Sequence, residues 1–134
     1  MILAMNFKLP KSERLNAEKR IKELFNEGSS FFLYPVKVVY LIHNESPDAA
    51  NQVLFSVSKK KIRKASGRNF IKRRLREAYR LNKHLLSSRG ISLGFIFVGK
   101  PDMSFGEIEP RIKMALEKLE KELSQNHSDH ASNL

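Results

Sequence analysis

One segment limits the folds open to this chain. Between Lys59 and Arg89 lie 13 of its 25 lysines and arginines, against one acid, Glu77. The remainder, with 12 basic and 13 acidic residues, is close to neutral. So many like charges cannot be buried on more than one side, because an unpaired ion loses its hydration in the interior. The segment must therefore form an outer layer, held to the core by whatever apolar stripe it carries. Residues 68–86 carry one: on a helical wheel with Ile71 at 0°, Leu75, Ala78 and Tyr79 fall between about −20° and +80°. Lys72, Arg76, Asn69, Arg80 and Arg73 follow between about 100° and 200°. One face docks on a sheet and the adjoining face is cationic.

A local excess of this size calls for a polyanion, either nucleic acid or an anionic membrane surface. Membrane-surface helices need bulky anchors opposite their charges, and this stripe is poor in them. A merely solvated face would interleave Glu with Lys at i,i+4, and only Glu77 interrupts this one. Nucleic acid is the expected partner.

The 134 residues suffice for one core but not two, and a 41% hydrophobic content with nine phenylalanines argues for a folded chain. With no cysteine, disulfides and thiolate metal sites are unavailable, which fits a reducing compartment. The opening apolar run is too short for a signal segment, and nowhere do 18 apolar residues run together. A cytoplasmic location without membrane association is expected.

Along the chain, Phe7–Pro10 reads as extended. Residues 16–28 read as a helix with Asn16 as N-cap, Glu18 in the first turn and Gly28 in the left-handed C′ position. Ile21, Leu24 and Phe25 form its apolar stripe. Strands are expected at Ser29–Leu33, Val36–Ile42 and Val53–Ser58, able to pair as an antiparallel meander, with a polar loop before the third. Lys59–Gly67 is a basic connection to the central helix, Arg68 to about Leu86. Ile91–Val98 is a buried strand, nearly all apolar, of the kind covered on both faces and entered by a crossover. Ser104 and Glu107 have capping-box spacing, while Pro110 suits the first position of a helix starting later. Ile112, Leu116, Leu119 and Leu123 carry this last helix to about Ser124, and a polar, disordered tail follows over 125–134. The result is one α+β domain, residues 1–124: a single-domain α-β sandwich in the order αβββαβα, with a βαβ crossover through the basic helix.

A metal-dependent nuclease acting alone needs convergent carboxylates. The acids here are scattered over Glu13–Glu27, Glu45–Asp48 and Glu107–Glu122. His127 and His130 stand at i, i+3 in the tail, His43 and His84 are isolated, and no phosphate-loop or hydrolase motif is present. Binding remains. Lys and Arg neutralise phosphates, Asn69 and the free N–H groups at the helix start add anion contacts, and exposed aromatics stack on unpaired bases. Tyr40 and Phe25 are the stacking candidates, with burial in the core the competing reading.

Ser56-Val57-Ser58-Lys59-Lys60 closing a strand, then Arg68-Asn69-x-x-Lys72-Arg73-x-x-Arg76-Glu77-Ala78 on a helix, resembles the bacterial ribonuclease P protein family. The likeness spans roughly Phe7 to Leu123. It implies a fold like the second domain of ribosomal protein S5, with a left-handed crossover. It also implies a protein cofactor of the ribozyme that removes the 5′ leader of precursor tRNA, the catalysis and the Mg²⁺ ions belonging to the RNA and no catalytic residue or metal to the protein. Carried over by position, Lys59, Lys60, Arg68, Asn69, Lys72, Arg73, Arg76 and Arg80 would face ribonuclease P RNA. Ile21, Phe25, Val38, Tyr40, Ser56 and Ser58 would line the cleft for the leader of precursor tRNA. No obligate protein partner is implied. Two positions depart from the family pattern. Phe70 stands where an arginine is typical, leaving it to stack on a base or pack under the loop, with Arg74 able to replace the lost charge. Lys100 stands where Arg precedes a proline. Composition alone would equally suit a ribosomal-type structural RNA-binding protein.

Overall fold

The computed structural model describes residues 9–43 and 49–132, with side chains described as far as Gln125. Its elements are α1 (Glu18–Glu27), β1 (Ser29–Leu33), β2 (Val36–Ile42), β3 (Gln52–Val57), α2 (Ala65–Asn82), β4 (Ile91–Phe97) and α3 (Phe105–Ser132). The αβββαβα order is as expected. The strands form one four-stranded sheet in the order β1-β2-β4-β3. β1–β2 and β2–β4 pair antiparallel, and β3–β4 pair parallel through the α2 crossover. The expected meander therefore holds only for the first hairpin, because β4 inserts between β2 and β3. Six of its seven residues are buried, whereas β3 buries only Val53 and Val57. The strand that needs cover on both faces takes the interior position, and the half-wet one takes the edge.

Strand alternation divides the apolar residues between two layers. On one face Val36, Val38, Leu93, Phe95 and Phe97 join α2 and α3 in the main core. There the Phe55 ring stacks on Phe95 at 5.8 Å, and Tyr79 of α2 meets both at 6.0 Å. On the other face Leu24 of α1, fully buried, packs with Leu15, Val39, Leu54 and Ile96. Gly94 makes that approach possible: a Cβ there would lie 3.0 Å from Val39 and 3.4 Å from Leu24.

Helix ends differ from the sequence reading in four places. α1 begins at Glu18, and neither Asn16 nor any other side chain caps it. Gly28 has φ −72°, so a left-handed turn is not its reason for being glycine. A Cβ there would stand 2.4 Å from the Leu24 carbonyl and 2.9 Å from that of Tyr40, so close packing requires it. α2 starts three residues before Arg68, running through Gly67 despite its low helix propensity, and the Arg68 N–H already donates to the Lys64 carbonyl at 3.1 Å. Arg68 and Asn69 thus lie in the second turn, away from the free N–H groups of the helix start. In α3 the capping box forms, the Glu107 N–H donating to Ser104 Oγ at 3.2 Å and the Ser104 N–H to the Glu107 carboxylate at 3.1 Å. Pro110 is consequently inside the helix. α3 runs on past Ser124 to Ser132, in a stretch without Gly or Pro to stop it.

Polar contacts then lock the layers. Asn51, buried, donates to the Ser87 carbonyl at 2.9 Å and accepts from the Arg89 and Ile91 N–H groups at 2.9 and 3.2 Å. This ties the start of β3 to the start of β4. Before α1, the Leu15 N–H donates to the Val53 carbonyl at 2.9 Å, which lays the N-terminal segment along the outer edge of β3. Arg89 grips Glu120 of α3 with both arms at 2.8 and 2.9 Å.

That fork, with help from the Ser87 N–H and Ser124 hydroxyl, holds the Glu120 carboxyl down at about 2, although partial burial opposes it. A lowered folded-state pKa stabilises above the unfolded value, and the gain disappears as pH falls through the folded one. Glu120→Gln should therefore cost about 2 kcal/mol at pH 7, allowing for solvent screening of a partly exposed pair. The gap from wild type should close between about pH 4.5 and 2 in urea titrations, and a gap that stays constant with pH would contradict it.

Candidate nucleic-acid interface

The apolar stripe of α2 is where the wheel put it: Ile71, Leu75, Ala78 and Tyr79 are all buried. Docking that stripe turns Asn69, Arg73 and Arg76 fully outward and leaves Lys72 half-buried beside them. Lys59 and Lys60 are exposed on the preceding loop, where the Lys60 N–H donates to Ser58 Oγ at 3.1 Å. Among the described residues, none of these lysines and arginines is in an ion pair. Their charges are available to an external anion.

Two expected members of this face are occupied otherwise. Arg68 turns back on the loop, its Nη1 donating to the carbonyls of Ile62 at 2.9 Å and Arg63 at 2.7 Å. It braces the cationic loop against the helix. Arg80 falls within the basic arc, yet its side chain is only 7% exposed, 3.7 Å from Glu77. Arg80 is therefore not part of the outward face, a correction to the wheel, which gives direction without the neighbours that cover it. In compensation, the structure adds a cation from outside the basic segment. Arg14, on the N-terminal segment, lines a cavity of about 230 Å³ with Lys72 and Arg76, against Leu15, Leu54 and Phe55. Nothing local in the sequence marks Arg14, because its position depends on the long-range bridge to Val53.

Phe70 lies on the flank of α2 and is 48% exposed. The Arg74 guanidinium sits 3.8 Å above one face of its ring and also donates to the Met103 carbonyl in the β4–α3 connection. Lys100, in the same connection, is exposed.

The residues expected to form a second surface divide between the two sides of the sheet. Ile21 and Phe25 are on α1, half-buried and exposed respectively. Ser56 pairs in register with Ile96 on the face that α1 covers, and Ser58 follows it. Val38 and Tyr40 point the other way. Val38 is fully buried in the main core, and the Tyr40 hydroxyl donates to Glu122 of α3 at 3.0 Å. Burial and that carboxylate push the Tyr40 phenol above its ordinary pKa. Neither lines a surface shared with α1. The β2 residues on that face are Lys37, Val39 and Leu41, and Phe32, paired with Lys37 and 60% exposed, extends it. The sequence held the signal: Lys37 marks the wet face of β2, and Val38 and Tyr40 have the opposite parity.

Among the described residues no group of three or more His, Asp or Glu side chains is placed to hold a metal ion. His43 is hydrogen-bonded to Ser92 at 2.7 Å, and the side chains of His127 and His130 lie outside the described residues. No helix among the described residues is long and apolar enough to cross a membrane.

A family model described as Ribonuclease P matches residues 9–120. A ribonuclease P protein component of Porphyromonas gingivalis is 51% identical over 81 residues, 60% of this chain and 59% of that relative's length. One from Citrifermentans bemidjiense is 38% identical over 112 residues, 84% of this chain and 92% of the other. The solved RNase P protein of Staphylococcus aureus superposes with a TM-score of 0.69 over 81% of this chain and 96% of its own, at 23% identity. That of Thermotoga maritima gives 0.67 over 79% and 96%, also at 23%. These two likenesses show the fold.

The exposed cations make a direct prediction. Lys72→Ala and Arg76→Ala should each weaken single-stranded RNA binding and lower the slope of log K against log salt by about 0.7. Arg80→Ala, where the side chain is covered, should leave the slope unchanged and lower the melting temperature instead. Filter binding across a salt series, with thermal melts, separates the two outcomes.

Proposed function

The chain belongs to the Ribonuclease P protein family, and on that premise we propose that it is the protein subunit of a ribonuclease P holoenzyme, an endoribonuclease that removes the 5′ leader of precursor tRNA in the cytoplasm. The observation that carries this reading is the outward cationic face of α2, unpaired by any acid among the described residues. Lys59, Lys60, Asn69, Lys72, Arg73 and Arg76 contact phosphates of the RNA subunit. Arg68 contributes by bracing the loop, and Arg14 extends the surface from the N-terminal segment. Cleavage chemistry and its Mg²⁺ ions reside in the RNA, so the protein's part is binding and positioning.

The leader of precursor tRNA runs beside α1, over the sheet face carrying Ile21, Phe25, Ser56 and Ser58, with Phe32, Lys37 and Ile96 added. Exposed aromatics and a cation on an otherwise uncharged strand suit single-stranded RNA, whose bases stack while its phosphates are neutralised.

Mixed with its cognate RNA subunit, the protein should accelerate precursor tRNA cleavage at low Mg²⁺, where RNA alone is slow; absence of any stimulation would refute the function. Phe25→Ala should weaken precursor tRNA about tenfold and mature tRNA little, as loss of one stacked base implies. Tyr40→Phe should leave that discrimination intact. Equal losses for both tRNAs in Phe25→Ala would remove the leader from this surface.

A further inference from the structure

We infer that Phe70 and Arg74 form a built stacking platform for one unpaired RNA base, on the flank of α2 next to the cationic face. The inference rests on the reading of α2 as an RNA-binding helix and gives it a second kind of contact. The ring is 48% exposed, a large share for a phenylalanine in the middle of a packed helix. One of its faces is occupied by the Arg74 guanidinium at 3.8 Å, and Arg74 is itself anchored to the Met103 carbonyl across the β4–α3 connection. The ring is thereby held in one orientation, so little freedom is lost when a base settles on its open face. Stacking on a π-face backed by a cation is favourable for any base and needs no sequence match.

The surroundings select a nucleic acid over a protein as the occupant. Protein-docking patches are contiguous apolar areas. The other exposed large hydrophobic residue on α2, Leu81, is 11 residues on, about 16 Å along the axis. The near neighbours on the helix are Asn69 and Arg73, both exposed, and Arg73 lies one helical step away at i+3. A nucleotide stacked on Phe70 would present its phosphate to Arg73. An arginine at position 70 would supply one phosphate contact; phenylalanine exchanges it for a contact to a base, which only unpaired RNA offers.

The test compares wild type, Phe70→Leu and Phe70→Trp on the cognate ribonuclease P RNA and on a single-stranded oligoadenylate. Leucine keeps apolar cover for Arg74 but has no π-face. It should weaken RNA binding about tenfold at unchanged melting temperature. Tryptophan should bind as well as wild type, and its emission should be quenched by the single-stranded RNA and not by a blunt duplex. The inference is overturned if Phe70→Leu binds RNA like wild type, whether or not its melting temperature falls, or if the tryptophan is not quenched. Failure of wild type to bind the cognate RNA would instead strike at the proposed function, and the platform would then be judged by the same variant ratio on oligoadenylate.

Discussion

Everything in this fold follows from the need to cover β4 twice. Its run of apolar side chains projects to both sides of the sheet, so a single layer of helix would leave half of it wet. The chain answers with α2 and α3 on one side and the short α1 on the other, where Leu24 fits over a strand position kept free of side chain at Gly94. Because β4 must be interior, β3 is forced to an edge and the crossover helix between them to the surface. The most cationic part of the sequence is thus placed on the outside by an apolar strand remote from it.

The positive charge of that segment is not all spent on a partner. Lys83 pairs with Glu13 at 2.8 Å, Arg89 with Glu120, Arg68 with loop carbonyls, Arg74 with Met103, and Arg80 is covered. These residues hold the frame, and the remaining cations of the segment are exposed apart from the half-buried Lys72. The division has a chemical logic. Four of the five internal roles fall to arginine, whose planar fork can satisfy two acceptors at once, as Arg68 and Arg89 both do. The exposed loop positions Lys59 and Lys60 carry lysine, a mobile point charge.

Much of this was legible in the sequence, and the failures have physical causes. Helix and strand identities, the stripe of α2 and the dry nature of β4 come from periodicity, which is local. Strand order does not, because β3 and β4 compete for the interior position and only their relative burial decides. The placement of Val38 and Tyr40 beside α1 failed on parity: a strand shifted by one residue exchanges its faces, and Lys37 was the clue to the correct one. Arg80 failed because a wheel has no knowledge of neighbouring elements. Arg14 and Asn51 act through contacts to residues tens of positions away, for which no local pattern exists.

The segment laid along β3 also protects the sheet. A sheet edge with free N–H and C=O groups invites another strand to add to it. By donating the Leu15 N–H to the Val53 carbonyl, the chain blunts the edge on which its crossover begins. The same segment supplies Arg14 to the cationic side that Lys72 and Arg76 share. Guarding against self-association and enlarging the binding surface are here one piece of backbone, so a change made to improve either is a change to both.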